Sequence, residues 1–83
     1  MKTIFTFGTS TNQPFQGGWV EIEAKSQSAA VRIFNTLFPP GISDLVRCAG
    51  IYPEEQFNAT RMPIRGNLGE KCRLYIKEGA FAE

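Results

Sequence analysis

Histidine is absent from these 83 residues, and cysteine occurs only twice, as Cys48 and Cys72. The first absence excludes histidine-based nucleophile triads and the common histidine-containing zinc sites. The second excludes a four-thiolate metal cage. Two distant thiols with no secretory leader before them read as reduced core residues rather than a disulfide. No apolar run approaches the roughly 20 residues that span a bilayer. Met1-Lys2 leads into a stretch too short for the apolar segment of a leader. The expectation is a soluble, cytoplasmic protein without a membrane partner. A strong excess of one charge is missing too. A net charge of +1 excludes both an acidic nucleic-acid mimic and a uniformly basic, histone-like binder.

What is present is the material of one small domain over residues 1–83. Its hydrophobic fraction of 42% is far too high for a disordered chain, although the core will be small and the stability margin thin. Lys2 to Phe7 (KTIFTF) is rich in β-branched and aromatic residues and predicts a strand with Phe5 and Phe7 on its inner face. Trp19 to Ala24 (WVEIEA) alternates with period two, placing Val20, Ile22 and Ala24 opposite Trp19, Glu21 and Glu23. Between them FGTSTNQPFQGGW reads as an unusually long hairpin connection, and loops of that length are either functional or mobile.

Ser26 is suited to cap a helix. Behind it Ala30, Ile33, Phe34 and Leu37 fall at helical spacing, and Pro39-Pro40-Gly41 ends the run. Leu45 to Tyr52 suggests a third strand. Pro53-Glu54-Glu55 looks like the start of a short helix that Met62-Pro63 closes. Arg65 to Gly69 is turn material, and Lys71 to Lys77 (KCRLYIK) alternates as a last strand. The expected fold is α+β: a small antiparallel-type sheet of about four strands, in chain order ββαβ(α)β, with one main amphipathic helix on one face.

Several groups are candidates for chemistry. The glycines and hydroxyls of the long loop can cradle a phosphate, but they match no phosphate-binding signature, and the chain shows no cofactor motif. Trp19, on the polar side of its strand, implies either a partner or cover by Phe15 from the loop. Glu21 and Glu23 share one face and offer a carboxylate pair for acid–base work, or simply two solvated charges. Arg61, Arg65, Lys71, Arg73 and Lys77 concentrate positive charge in a short stretch opposed only by Glu70. On the last strand Lys71, Arg73, Tyr75 and Lys77 read as one basic face around a ring. That face suits a phosphate-bearing ligand, a nucleic-acid strand or an acidic protein surface. The other readings are a solvated edge, or pairing with Glu21 and Glu23 on a neighbouring strand.

Phe7-Gly8, the Trp19 to Ala24 strand, the Ala29 to Phe38 helix and Tyr52 to Phe57 (YPEEQF) together resemble a group of small phage and prophage proteins of Gram-positive bacteria. The segment from Arg61 onward departs from that pattern. The resemblance implies an accessory protein of the host bacterial cytoplasm, one that binds and disables a host defence protein such as a CRISPR nuclease, or sequesters its nucleotide messenger. Contacts are then expected at Phe15, Trp19, Arg61, Arg65, Lys71, Arg73, Tyr75 and Lys77, without catalysis. A nucleic-acid-binding module using the basic last strand is the alternative, and a small enzyme using Glu21 and Glu23 a further one. With Phe5 and Phe7 on one side of the first strand and Ile4 on the other, pairing with a second copy to form a homo-oligomer is also open.

Overall fold

The computed structural model describes residues 1–8, 16–37 and 50–80. Phe15, Phe38, Cys48 and the first residues of the expected third strand lie outside them. The fold is α+β, with a four-stranded sheet in the order β3-β1-β2-β4. β1 is Lys2–Thr6, β2 is Trp19–Glu23, β3 is Gly50–Pro53 and β4 is Cys72–Lys77. The helices are α1 (Gln27–Leu37), α2 (Glu54–Asn58) and α3 (Met62–Arg65). β1 pairs antiparallel with β2 and β3, whereas β4 runs parallel to β2, so the sheet is mixed.

This topology makes two crossovers. β2 and β3 both run against β1 and are therefore parallel to each other, so the chain must pass over the sheet between them, and it does so through α1. It crosses again from β3 to β4 through α2 and α3. The two crossings use opposite faces. Phe5, Phe7, Val20 and Ile22 pack with Ala30, Ile33 and Phe34 of α1. The Phe5 and Phe34 rings stack 4.3 Å apart and 6° from parallel, an offset contact that adds about 1 kcal/mol to the burial itself. Ile4 and Trp19, on the other face, pack with Phe57 of α2. Both sides of β1 are thus covered by the chain's own helices.

Local signals explain the elements. Ser26 Oγ accepts the Ala29 N–H at 3.1 Å and caps α1, satisfying a donor that the first turn leaves open. Ala29, Ala30, Ile33 and Phe34 form its buried stripe. Pro63 opens α3 instead of closing α2, because the first turn of a helix needs no N–H from that position. Met62 of α3 turns inward against the second core cluster. No helix among the described residues is long and apolar enough to cross a membrane.

Two sequence-based expectations are corrected here. Trp19 is not on a wet face: it is 3% exposed, with its ring 4.9 Å from that of Phe57. Its side of the sheet is closed by the second crossover, which alternation within β2 cannot reveal. Cys72 is not a core residue either, but a free thiol on an exposed residue. It opens an edge strand, where α1 does not reach.

Candidate functional site

The face of the sheet beneath α2 carries a polar network. The Lys2 ammonium lies 3.3 Å from both Glu21 of β2 and Glu54 of α2. Trp19 Nε1–H donates to Glu21 Oε2 at 2.9 Å. Tyr75 Oη–H donates to Glu23, and the Lys2 ammonium lies over the Tyr75 ring. A cleft of about 140 Å³ opens here, lined by Lys2, Trp19, Glu21, Glu54 and Phe57 among others. The pairing of the last strand with Glu21 and Glu23 is therefore real: β4 lies beside β2, with Tyr75 opposite Glu21 and Lys77 opposite Glu23.

The electrostatics are those of a satisfied network. Burial pushes the Glu21 carboxyl up, but the Trp19 N–H and Lys2 outweigh it and hold it below its ordinary range. The hydrogen bond from Tyr75 does the same for Glu23. A general acid at neutral pH needs the opposite shift. Burial, with the Glu21 charge beside it, pushes the Cys72 thiol up, away from the thiolate that attacks or ligates. Among the described residues no three acidic or cysteine side chains converge to hold a metal ion.

The network has an acid limit. A carboxyl held below its unfolded value of 4.5 adds stability above that pH and loses it as pH falls through the folded value. The Tm should therefore stay flat near neutrality and fall below about pH 4.5. Melting curves followed by circular dichroism should show a shallower acid decline for Glu21→Gln than for the parent. An equally steep decline would place the acid-sensitive group elsewhere. Lys2 acts on the alkaline side. Burial disfavours its charge, but Glu21 and Glu54 prevail and raise it above 10.5, so its contribution is lost only as pH climbs beyond that value.

The basic face expected for the last strand is broken. The register of β4 against β2 shifts by one residue between Trp19 and Val20, whose partners are Cys72 and Leu74. Arg73 is the extra residue, and a bulge re-aims its side chain. Its Nε–H donates to the Gly17 carbonyl at 2.8 Å and its Nη2–H to that of Gln16. It pairs with Glu70 at 2.9 Å and lies over the Phe7 ring. Arg73 is thus a clamp on the base of the long β1–β2 connection. Asn67 completes that clamp, donating from Nδ2 to the Phe7 carbonyl and accepting the Gly18 N–H at 3.0 Å. Tyr75 and Lys77 remain exposed among the glutamates.

A second group of predicted residues does come together. Arg61 and Arg65 are exposed at either end of α3, and Lys71 is exposed just beyond the turn that follows it. The turn brings Lys71 back to α3, so that a Cβ on Gly66 would meet the Lys71 stem at 3.4 Å. The same segment carries two exposed aliphatic residues, Ile64 on α3, 76% exposed, and Leu68 in the turn, 55% exposed. Arg61, Arg65 and Lys71 form no ion pair with any described residue, whereas Lys2 and Arg73 are both engaged. Sequence reasoning missed Ile64 and Leu68. The signal was available in Asn67-Leu68-Gly69: a two-residue turn closed by Asn67 and Glu70 wants asparagine where Leu68 stands.

The chain is a small α+β domain whose α3 and following turn expose aliphatic and cationic side chains to solvent. No protein-family model, curated protein or solved structure matches the chain.

Proposed function

We propose that this chain is a non-catalytic binding protein whose contact surface is α3, the 66–70 turn and Lys71. Leu68 carries the reading. The turn is closed by Asn67 N–H to the Glu70 carbonyl at 2.7 Å and Glu70 N–H back at 3.0 Å. Leu68 and Gly69 between them have φ of 57° and 79°, as in a type I′ turn. A leucine in left-handed backbone costs about 1–2 kcal/mol, and here its side chain gains little burial in return. Strained backbone clusters at functional sites, and here it is held at an exposed apolar residue.

The resemblance to phage accessory proteins makes a bacterial defence protein the expected partner. The patch supports a protein over a nucleotide messenger or a nucleic-acid strand, because residues 61–71 contain no aromatic ring on which a base can stack. The polar network under α2 supports the non-catalytic part of the reading, since Glu21 and Glu23, the pair the sequence offered for acid–base work, are both held in the form that donates no proton.

Affinity capture from bacterial lysate, followed by binding measurements on the purified partner, tests this. Ile64→Asn and Leu68→Asn should each weaken the partner, and Lys77→Glu on β4 should not. Loss of binding in Lys77→Glu alone would move the site to the sheet face and end the proposal. Leu68→Asn should also raise the unfolding free energy by about 0.5–1 kcal/mol in a urea titration, since asparagine tolerates this backbone. A destabilised Leu68→Asn protein would mean that the leucine serves the fold.

A further inference from the structure

Resting on the contact surface proposed above, we infer that its occupant is an acidic amphipathic segment of a partner protein, an aliphatic stripe flanked by carboxylates. Residues 61–71 combine the two kinds of group that small interfaces use, exposed aliphatic side chains and cations unpaired among the described residues. Arg61 and Arg65 lie one helical turn apart on α3, and Lys71 closes the third side beside Gly66. An anionic stripe without apolar groups would leave Ile64 and Leu68 facing water. An apolar stripe without anions would leave three cations to be desolvated unpaired. Guanidinium groups pair most favourably with planar, bidentate acceptors such as carboxylates.

Within this chain Lys2 already holds Glu21 and Glu54, and Arg73 holds Glu70, so the carboxylates that answer Arg61, Arg65 and Lys71 are assigned to another protein. Concentration-dependent shifts at residues 61–71 in the absence of any probe would make a second copy of this chain the occupant and overturn that assignment.

Nuclear magnetic resonance titration of the ¹⁵N-labelled 83-residue chain provides the test, with three probes. The first is a synthetic peptide with leucine at helical spacing and glutamate on both flanks. The second is the same composition scrambled, and the third an oligothymidylate of equal charge. The ordered peptide should shift the amides of residues 61–71 and bind at least tenfold more tightly than either control. Ile64→Asn and Leu68→Asn should each weaken it by about tenfold, while Lys77→Glu leaves it unchanged, and added salt should weaken it throughout. Because Leu68→Asn is expected to be the more stable protein, its loss of binding cannot be ascribed to unfolding. Equal binding of ordered and scrambled peptides, or tighter binding of the oligothymidylate at residues 61–71, would overturn the acidic amphipathic partner and leave the contact surface standing. A captured partner insensitive to both Ile64→Asn and Leu68→Asn would overturn the surface itself.

Discussion

Phe57→Ala should lower the unfolding free energy by about 3–5 kcal/mol and shift the emission of Trp19, the single tryptophan, to longer wavelength. Phe57 is 3% exposed on a helix of only five residues. A helix that short has no stability of its own and forms because its apolar side chain docks. Trp19 and Tyr52 meet the Phe57 ring at 4.9 Å and 6.5 Å, so truncation removes the ring that covers the tryptophan and opens the cleft beside Glu21. The loss is large for a domain of this size, whose whole margin is of order 5–10 kcal/mol. Urea titrations read by circular dichroism and by fluorescence at once make the test specific. Phe34→Ala, on the opposite face, should cost a similar amount while leaving the Trp19 emission of the folded protein in place. If Phe57→Ala leaves that emission unmoved, α2 is not what buries the tryptophan.

The contrast between Phe57 and Phe34 also shows what the sequence made legible. The α1 stripe, its Ser26 cap and the β1–β2 alternation are local, periodic signals, and each element appears where those signals place it. The second layer could not be read in that way. Glu54 to Asn58 offers only one buried residue, and nothing in WVEIEA says that Trp19 and Glu21 will be roofed by a helix more than thirty positions later. The parallel course of β4 depends on that same crossover.

The candidate surface was legible in part. Charge concentration after Arg61 was visible in composition, and Arg61, Arg65 and Lys71 are indeed exposed and unpaired among the described residues. Strict alternation in KCRLYIK placed Arg73 beside Tyr75 and Lys77. A bulge overrides alternation, and the bulge follows from contacts made to Gly17 and Gln16, residues far away in sequence. Periodicity captures how a strand continues, not the single residue at which it slips.

Gly66→Ala should cost about 2–4 kcal/mol, while Gly69→Ala should cost only about 1 kcal/mol. Both glycines have positive φ, at 83° and 79°. Their surroundings differ. Gly66 has ψ of 170°, which puts it in a region that side chains other than glycine's essentially never enter. A Cβ there would sit 2.4 Å from the Glu70 carbonyl oxygen, whereas nothing lies within 4 Å of one at Gly69. The first substitution therefore meets backbone that cannot rotate away, and the second meets open solvent and pays only for its left-handed conformation. Relief at Gly66 requires the 66–70 turn to move as a unit. That turn carries Leu68 and the Asn67 that holds the Phe7 carbonyl, and the Glu70 that pairs with Arg73. Gly66→Ala should accordingly shift amide resonances at Gly17, Gly18 and Arg73 as well as in the turn, whereas Gly69→Ala should perturb only its immediate neighbours. Equal costs for the two substitutions would mean that the turn yields freely, and a yielding turn would not hold Leu68 in strained backbone on the proposed contact surface.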